Sequence, residues 1–244
     1  MKNFYNDIRN QLDEVSTSFC LAKWSQLTLY LQNGYNHSCH HPTPHKIPLK
    51  ELERNHKALH NTKYKKRQMK QMLKGQRPSE CEYCWKIEDL GKEYISDRIY
   101  KSANSFSQVK KDEILEKRTQ DIEPSYLEVS FSSTCNMKCA YCSPDISSTW
   151  MEEVERFGGY PTSTKYNDIN YFKDNLKIPY KKSEHNPYVE AFWKWWPELY
   201  PKLHTLRITG GEPLLSKDTW KVIDELIENP NKDCLLYTSP SPRD

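Results

Sequence analysis

The chain has 244 residues, a formal net charge of +3 and 36% hydrophobic residues. Its length allows one large or two modest domains, and so small a net charge does not by itself favour a nucleic-acid partner. The first residues carry no apolar signal core and no run is long enough to span a membrane, so we predict a cytoplasmic protein with no membrane partner. Its eight cysteines favour metal binding or redox chemistry over a disulfide framework.

The first half of the chain predicts a small module around four cysteines. Residues 1–16 form a predicted leading helix, and alternating apolar and polar residues from Leu21 to Gln32 predict a half-buried strand. The turn residues Asn33-Gly34 then reverse the chain. Such a hairpin would bring Cys20 and Cys39 together.

Two further cysteines, Cys81 and Cys84, form a two-residue knuckle that completes a set of four thiolates. Four thiolates suit either an iron–sulfur cluster or zinc. Zinc stays open as an alternative because histidines adjoin Cys39. We interpret the loop that carries them mainly as solvated: His37, His40, His41 and His45.

The segment from Lys63 to Lys74 carries six basic residues and no acid. One interpretation is a phosphate-contacting face of a nucleic-acid-binding protein. We favour a solvated helix with Met69, Met72 and Leu73 turned inward, because the whole chain is nearly neutral. Residues 102–124 then form a charged, helical linker.

From Tyr126 the pattern changes to strand, cysteine loop, helix, polar insertion, helix, strand and helix. Asn186-Pro187 predicts a helix start, with an N-cap side chain followed by proline. Two motifs each follow a predicted strand: Cys135-Asn-Met-Lys-Cys139-Ala-Tyr-Cys142, and Thr209-Gly210-Gly211-Glu212-Pro213. Strand and helix alternation predicts a parallel sheet with helices outside, an α/β fold.

The three cysteines of the second half have C-x3-C-x2-C spacing, which suits a cluster held by thiolates with one iron left open. The alternative is a structural zinc site or three buried free cysteines. Zinc takes four ligands in closed structural sites, and no fourth Cys or His stands nearby in sequence.

This triad, paired with Gly-Gly-Glu-Pro in the right order, resembles the radical S-adenosylmethionine (SAM) enzymes. The resemblance implies a [4Fe-4S] cluster on Cys135, Cys139 and Cys142 whose open iron chelates SAM. It also implies that five further residues contact SAM: Tyr141, Gly210, Gly211, Glu212 and Pro213. The fold expected from it is the first two βα units of a partial (β/α)6 barrel.

The pattern C-x13-G-x4-C followed by C-x2-C resembles the SPASM/twitch auxiliary-cluster domains of radical SAM enzymes. It covers residues 17–101 and implies a second iron–sulfur cluster on four cysteines: Cys20, Cys39, Cys81 and Cys84. Those domains usually follow the barrel, whereas here the small α+β module precedes it. The predicted truncated core covers residues 125–233.

Residues 234–244 resemble a translated sequencing adapter, so we expect the genuine sequence to break off near Asp233, with the rest of the enzyme missing. A real C-terminal tail is the alternative. With only two barrel strands, the second is expected to have an unpaired edge. Cys234 is therefore not counted as a ligand.

The predicted activity is reductive cleavage of SAM followed by hydrogen abstraction from a substrate, with an auxiliary cluster for electron relay. The implied partners are SAM, an external one-electron donor and an unknown substrate, for which a peptide is the first candidate. No general acid or base can be named from the sequence. The alternatives are a zinc-binding interaction module and a nucleic-acid-binding protein, and the near-neutral charge disfavours the latter.

Overall fold

The computed structural model describes residues 2–106, 111–163 and 167–238 and has a mixed α/β architecture. Six strands form one sheet. They are β1 (Gln26–Tyr30), β2 (Tyr35–His37), β3 (His45–Lys46), β4 (Tyr126–Ser130), β5 (Thr205–Thr209) and β6 (Leu235–Thr238). Eleven helices surround it within the described ranges. They are α1 (Lys2–Asp13), α2 (Ala22–Ser25), α3 (Leu49–Arg54), α4 (Lys63–Leu73), α5 (Glu82–Glu88), α6 (Asp97–Phe106), α7 (Lys111–Lys117), α8 (Ser148–Phe157), α9 (Ile169–Asp174), α10 (Pro187–Leu199) and α11 (Lys217–Glu228).

The sheet has the order β3-β2-β1-β4-β5-β6. Strands β1, β4, β5 and β6 are parallel, and β2 and β3 are antiparallel additions at one side. In register, Gln26 pairs with Tyr126 at the amino edge and Tyr30 with Ser130 at the carboxyl edge. The module of residues 17–101 therefore shares one continuous sheet with the predicted core.

The two faces of this sheet differ in chemistry. Alternate residues of β1, β4 and β5 are fully buried on one face: Leu27, Leu29, Leu127, Val129, Leu206 and Ile208. They pack in one core with three aromatic residues of α10: Phe192, Trp195 and Trp196. The other face carries Thr28, Glu128 and Arg207 side by side in register. This polar face runs from the amino edge to the carboxyl edge.

Helices of the first half form a second core beside the sheet. It joins α1, α4, α5 and α6 through fully or nearly fully buried side chains: Ile8, Leu12, Phe19, Trp24, Met69, Met72, Trp85 and Ile99. Met69 and Met72 are turned inward as predicted, and Leu73 packs partly buried against this core. Lys65 is also buried there, and its Nζ lies 2.8 Å from His60 Nδ1.

Helix α10 begins as predicted: Asn186 is the N-cap, its side chain accepts from the N–H groups of Tyr188 and Val189, and Pro187 stands at the first turn. The strand predicted from Leu21 to Gln32 is wrong in extent, since α2 occupies its first part. Strand β1 is also buried rather than half-buried, because β2 and β4 flank it and helices cover it.

The expectation of an unpaired edge on β5 is wrong for the described residues. Strand β6 pairs with it in parallel, from Thr205 opposite Leu235 to Ile208 opposite Thr238. Residues 239–244 lie outside the described residues, so the adapter interpretation of residues 234–244 stays a prediction. No helix in the described ranges is long and apolar enough to cross a membrane.

Candidate functional site

The triad loop lies between β4 and α8 and is held by the first turn of that helix. Ser148 Oγ accepts from the Cys135 N–H at 3.0 Å and donates back to the Cys135 carbonyl at 3.1 Å. Trp150 donates from Nε1 to the Cys139 carbonyl at 3.0 Å. These bonds fix the backbone around two of the three cysteines.

The three triad thiols are partly exposed and close enough to affect one another's charge. Burial raises the pKa of Cys142, and the charges of Cys135 and Cys139 add to that rise. Tyr141 is 83% exposed, and its hydroxyl interacts with Cys139, which raises the pKa of Tyr141. The structure therefore gathers the three cysteines in one solvent-accessible loop.

The Gly-Gly-Glu segment lies against that loop, although about 70 residues separate the two in sequence. The Glu212 N–H donates to the Thr134 carbonyl at 2.8 Å, and the Gly211 N–H donates to the Ser132 carbonyl at 3.3 Å. Both contacts lie at the carboxyl edge, where parallel strands β4 and β5 end.

Both glycines are required by this close approach. Gly210 has φ +124°, and a Cβ there would lie 2.6 Å from Ser130 Oγ. A Cβ on Gly211 would lie 2.4 Å from the Thr134 carbonyl oxygen. Because that neighbour is backbone, only glycine lets the two loops meet. Glu212 then caps the short 3-10 turn that Pro213 begins.

The other predicted cysteines come together at the opposite end of the sheet. Cys20, Cys39, Cys81 and Cys84 line a single cavity. Cys39 follows β2 and Cys81 precedes α5, so the cavity lies where the amino end of β1 meets the helical core. We call it the auxiliary cavity.

The thiols of the auxiliary cavity are poor acids without a metal. Burial raises the pKa of Cys81 to about 12 and also raises those of Cys39 and Cys84. Two of the sulfurs already accept backbone hydrogen bonds: Cys39 from the N–H of His41, and Cys84 from the N–H of Arg98. Since metals bind thiolates, binding here must displace protons.

Two buried cations, Lys23 and Arg98, line the auxiliary cavity. Lys23 is 4% exposed and forms an ion pair with Glu80. Burial alone would lower the pKa of Lys23, but the charges of Cys81 and Glu80 raise it above its ordinary value. Arg98, 2% exposed, is held by Glu88 at 2.8 Å. Each cation at the cavity therefore already has a carboxylate partner.

Tetrahedral zinc requires closely spaced ligand atoms. Around tetrahedral zinc, Zn–S bonds of about 2.3 Å place sulfurs about 3.8 Å apart. Within the described ranges, three ligand atoms of His, Cys, Asp or Glu side chains lie within 4.8 Å of one another at His40, His41 and Asp97. No three cysteines of the described residues meet this criterion. Zinc and an iron–sulfur cluster both stay open as occupants of the four cysteines.

The two cysteine sites lie at opposite ends of the parallel strands, one at the amino edge and one at the carboxyl edge. These strands have five residues and are about 16 Å long. The polar face bridges the two sites, with Glu128 at its centre. Its carboxylate accepts from Thr209 Oγ1 and from the Tyr126 hydroxyl, both at 3.4 Å, and Arg207 lies 3.7 Å away. Between β1 and β2, His37 Nε2 lies 3.3 Å from the Tyr30 hydroxyl.

The interpretation of the histidine loop as solvated is only partly right. His37 is buried in β2, and burial lowers its pKa to about 4. His45 is also enclosed, with its Nε2 2.9 Å from Thr62 Oγ1. Sequence inspection missed Lys23, Glu128 and Asp97, because only the tertiary fold brings these isolated charged residues to the sites.

No protein-family model, curated protein or solved structure gives a significant match to this chain. The functional argument therefore depends on the residues and the geometry described above.

Proposed function

We propose that this protein is a radical SAM enzyme with an auxiliary iron–sulfur site. The observation that carries the proposal is the contact between the triad loop and the Gly-Gly-Glu segment at the carboxyl edge. Ligands bind at the carboxyl ends of the strands in open parallel α/β sheets. The two motifs of the resemblance, distant in sequence, thus meet where such a sheet binds its ligand.

Cys135, Cys139 and Cys142 would hold a [4Fe-4S] cluster, since their partial exposure leaves room for a ligand on the fourth iron. A cluster held by these three residues would supply one electron, received from an external donor, for the reductive cleavage of SAM that precedes hydrogen abstraction. Gly210 and Gly211 let the backbone approach SAM, and the Glu212 carboxylate suits its ammonium group. The exposed Tyr141 ring offers a surface for the adenine.

Cys20, Cys39, Cys81 and Cys84 would hold the auxiliary cluster. Full ligation by four thiolates favours electron relay over substrate ligation, because it leaves no open iron. The polar face between the sites offers hydrogen-bonding groups to a substrate, Glu128 first among them. A peptide remains our first candidate substrate, and an external donor supplies the electron.

Anaerobic reconstitution of the chain with iron and sulfide tests the proposal. We expect about eight iron atoms per chain, in two four-iron clusters. SAM should perturb the electron paramagnetic resonance signal of one of them and leave the other unchanged. Stoichiometric zinc in anaerobically purified protein, without a SAM response, would instead support a zinc-binding module.

Replacing Gly211 with alanine should separate cluster binding from SAM binding. The added Cβ meets the Thr134 carbonyl oxygen at 2.4 Å, so the Gly-Gly-Glu segment must move away from the triad loop. We expect an unchanged iron content and a SAM affinity at least about tenfold lower. Equilibrium dialysis with labelled SAM measures the affinity.

Gly75→Ala is the matched control, because a Cβ at Gly75 meets nothing within 4 Å. Its positive φ of +74° strains the variant locally, far from the cysteine loop. Wild-type SAM affinity in Gly211→Ala would show that the contact between the two segments does not serve SAM.

A further inference from the structure

A group of three metal-ligating side chains lies at the rim of the auxiliary cavity. His40 and His41 follow Cys39, and Asp97 begins α6. The Nε2 atoms of both rings converge on Asp97 Oδ2, at 3.4 Å from His40 and 2.8 Å from His41. All three ligand atoms lie within 4.8 Å of one another.

We propose that His40, His41 and Asp97 bind a divalent transition-metal ion of the zinc class, at a site distinct from both cysteine sites. Imidazole and carboxylate ligands bind zinc at about 2.0–2.2 Å, which places tetrahedral ligand atoms about 3.3–3.6 Å apart. The His40 to Asp97 distance already has this value, and the His41 to Asp97 distance needs to widen by only about half an ångström.

The two imidazoles have different surroundings. The His41 ring stacks on Tyr83 with centroids 3.7 Å apart, and its side chain is 16% exposed, so its orientation is fixed. The His40 side chain is 60% exposed, which gives an ion access from solvent. Three protein ligands leave at least one coordination position open, as in exchangeable or catalytic zinc sites.

Charges of both signs surround this site. The positive charge of Lys101 is felt at His40 and disfavours a bound cation there. The negative charge of Glu128, on β4, is also felt at His40 and favours a bound cation. His41 and Asp97 also line the auxiliary cavity, so the bound ion would lie beside the four thiols. The site requires no iron, and therefore its failure and that of the proposed radical SAM function are distinguishable.

The test adds zinc to the cluster-reconstituted chain and measures bound metal by mass spectrometry. We expect one zinc per chain beyond the iron, with unchanged iron content. X-ray absorption at the zinc edge should show nitrogen and oxygen ligands at about 2.0–2.1 Å. In His40→Ala and Asp97→Asn the zinc affinity should fall at least about tenfold.

His185→Ala is the matched control, because His185 pairs with Glu190 at 3.1 Å on the surface without a third ligand. It should bind zinc like the wild type. If Asp97→Asn perturbs folding, the zinc affinity of His40→Ala decides whether the site exists, because the exposed His40 side chain contributes little to folding. Absence of the extra zinc, sulfur ligands at about 2.3 Å, or wild-type affinity in His40→Ala would overturn the site.

Discussion

Cys139→Ala should remove one iron–sulfur cluster and abolish the SAM response while leaving the second cluster in place. Cys139 stands between the other two triad cysteines, and two thiolates cannot hold the three irons that the proposed cluster binds through protein. After anaerobic reconstitution the iron content should fall from about eight to about four atoms per chain. The remaining paramagnetic signal should be insensitive to SAM.

Cys234→Ser controls for the loss of a thiol, because Cys234 packs at the edge of the sheet core and belongs to neither cysteine site. Its iron content and SAM response should match the wild type. Cys84→Ala gives the reciprocal result: it should lose the SAM-insensitive signal and keep the SAM-sensitive one. Loss of both clusters in Cys139→Ala would contradict two independent sites.

Local signals predicted those parts of the fold that depend on neighbouring residues. The Asn186-Pro187 helix start is confirmed because a side-chain cap and a proline act within one turn. The strand patterns before the two motifs predicted β4 and β5, although the partial barrel itself stays a prediction. The association of the triad loop with Gly211 was expected from the family resemblance rather than from spacing.

Long-range pairing was beyond sequence reasoning. Strand β1 pairs in parallel with β4 across 100 residues, and no local pattern specifies that partner. The same pairing joins the first module to the sheet and sets the two cysteine sites at opposite edges. Burial of Lys65 was also missed, since its basic neighbours predict a solvated face. Its Nζ contacts His60 Nδ1 and the Gln26 carbonyl inside the protein, and neither contact can be read from the local sequence.

Lys23→Met should destabilise the protein more than any surface substitution. Lys23 and Glu80 form an ion pair in which the side chains are 4% and 10% exposed. Burial would raise the pKa of Glu80, yet Lys23 holds it below its ordinary value. Removing the cation leaves a buried carboxylate unpaired, at a cost of about 3–5 kcal/mol. Denaturant unfolding of the chain measures that loss.

Two further variants separate the charge pair from simple packing. Lys86→Met breaks an exposed pair with Glu82 on the same module, with side chains 70% and 66% exposed, and should cost at most about 1 kcal/mol. The double variant Lys23→Met with Glu80→Gln removes both charges and should recover much of the lost stability. A Lys23→Met protein as stable as the wild type would contradict the buried pair.

The same substitution connects stability to redox chemistry. Lys23 lies in the auxiliary cavity, and its positive charge favours the more negative, reduced form of any cluster bound there. Lys23→Met should therefore shift the reduction potential of the SAM-insensitive cluster to more negative values. In the double variant Glu80→Gln should offset part of that shift, because the charge of Glu80 also acts on Cys81. The potential of the triad cluster should stay unchanged, because it lies at the far edge of the sheet. A shift confined to the triad cluster would contradict the proposed arrangement.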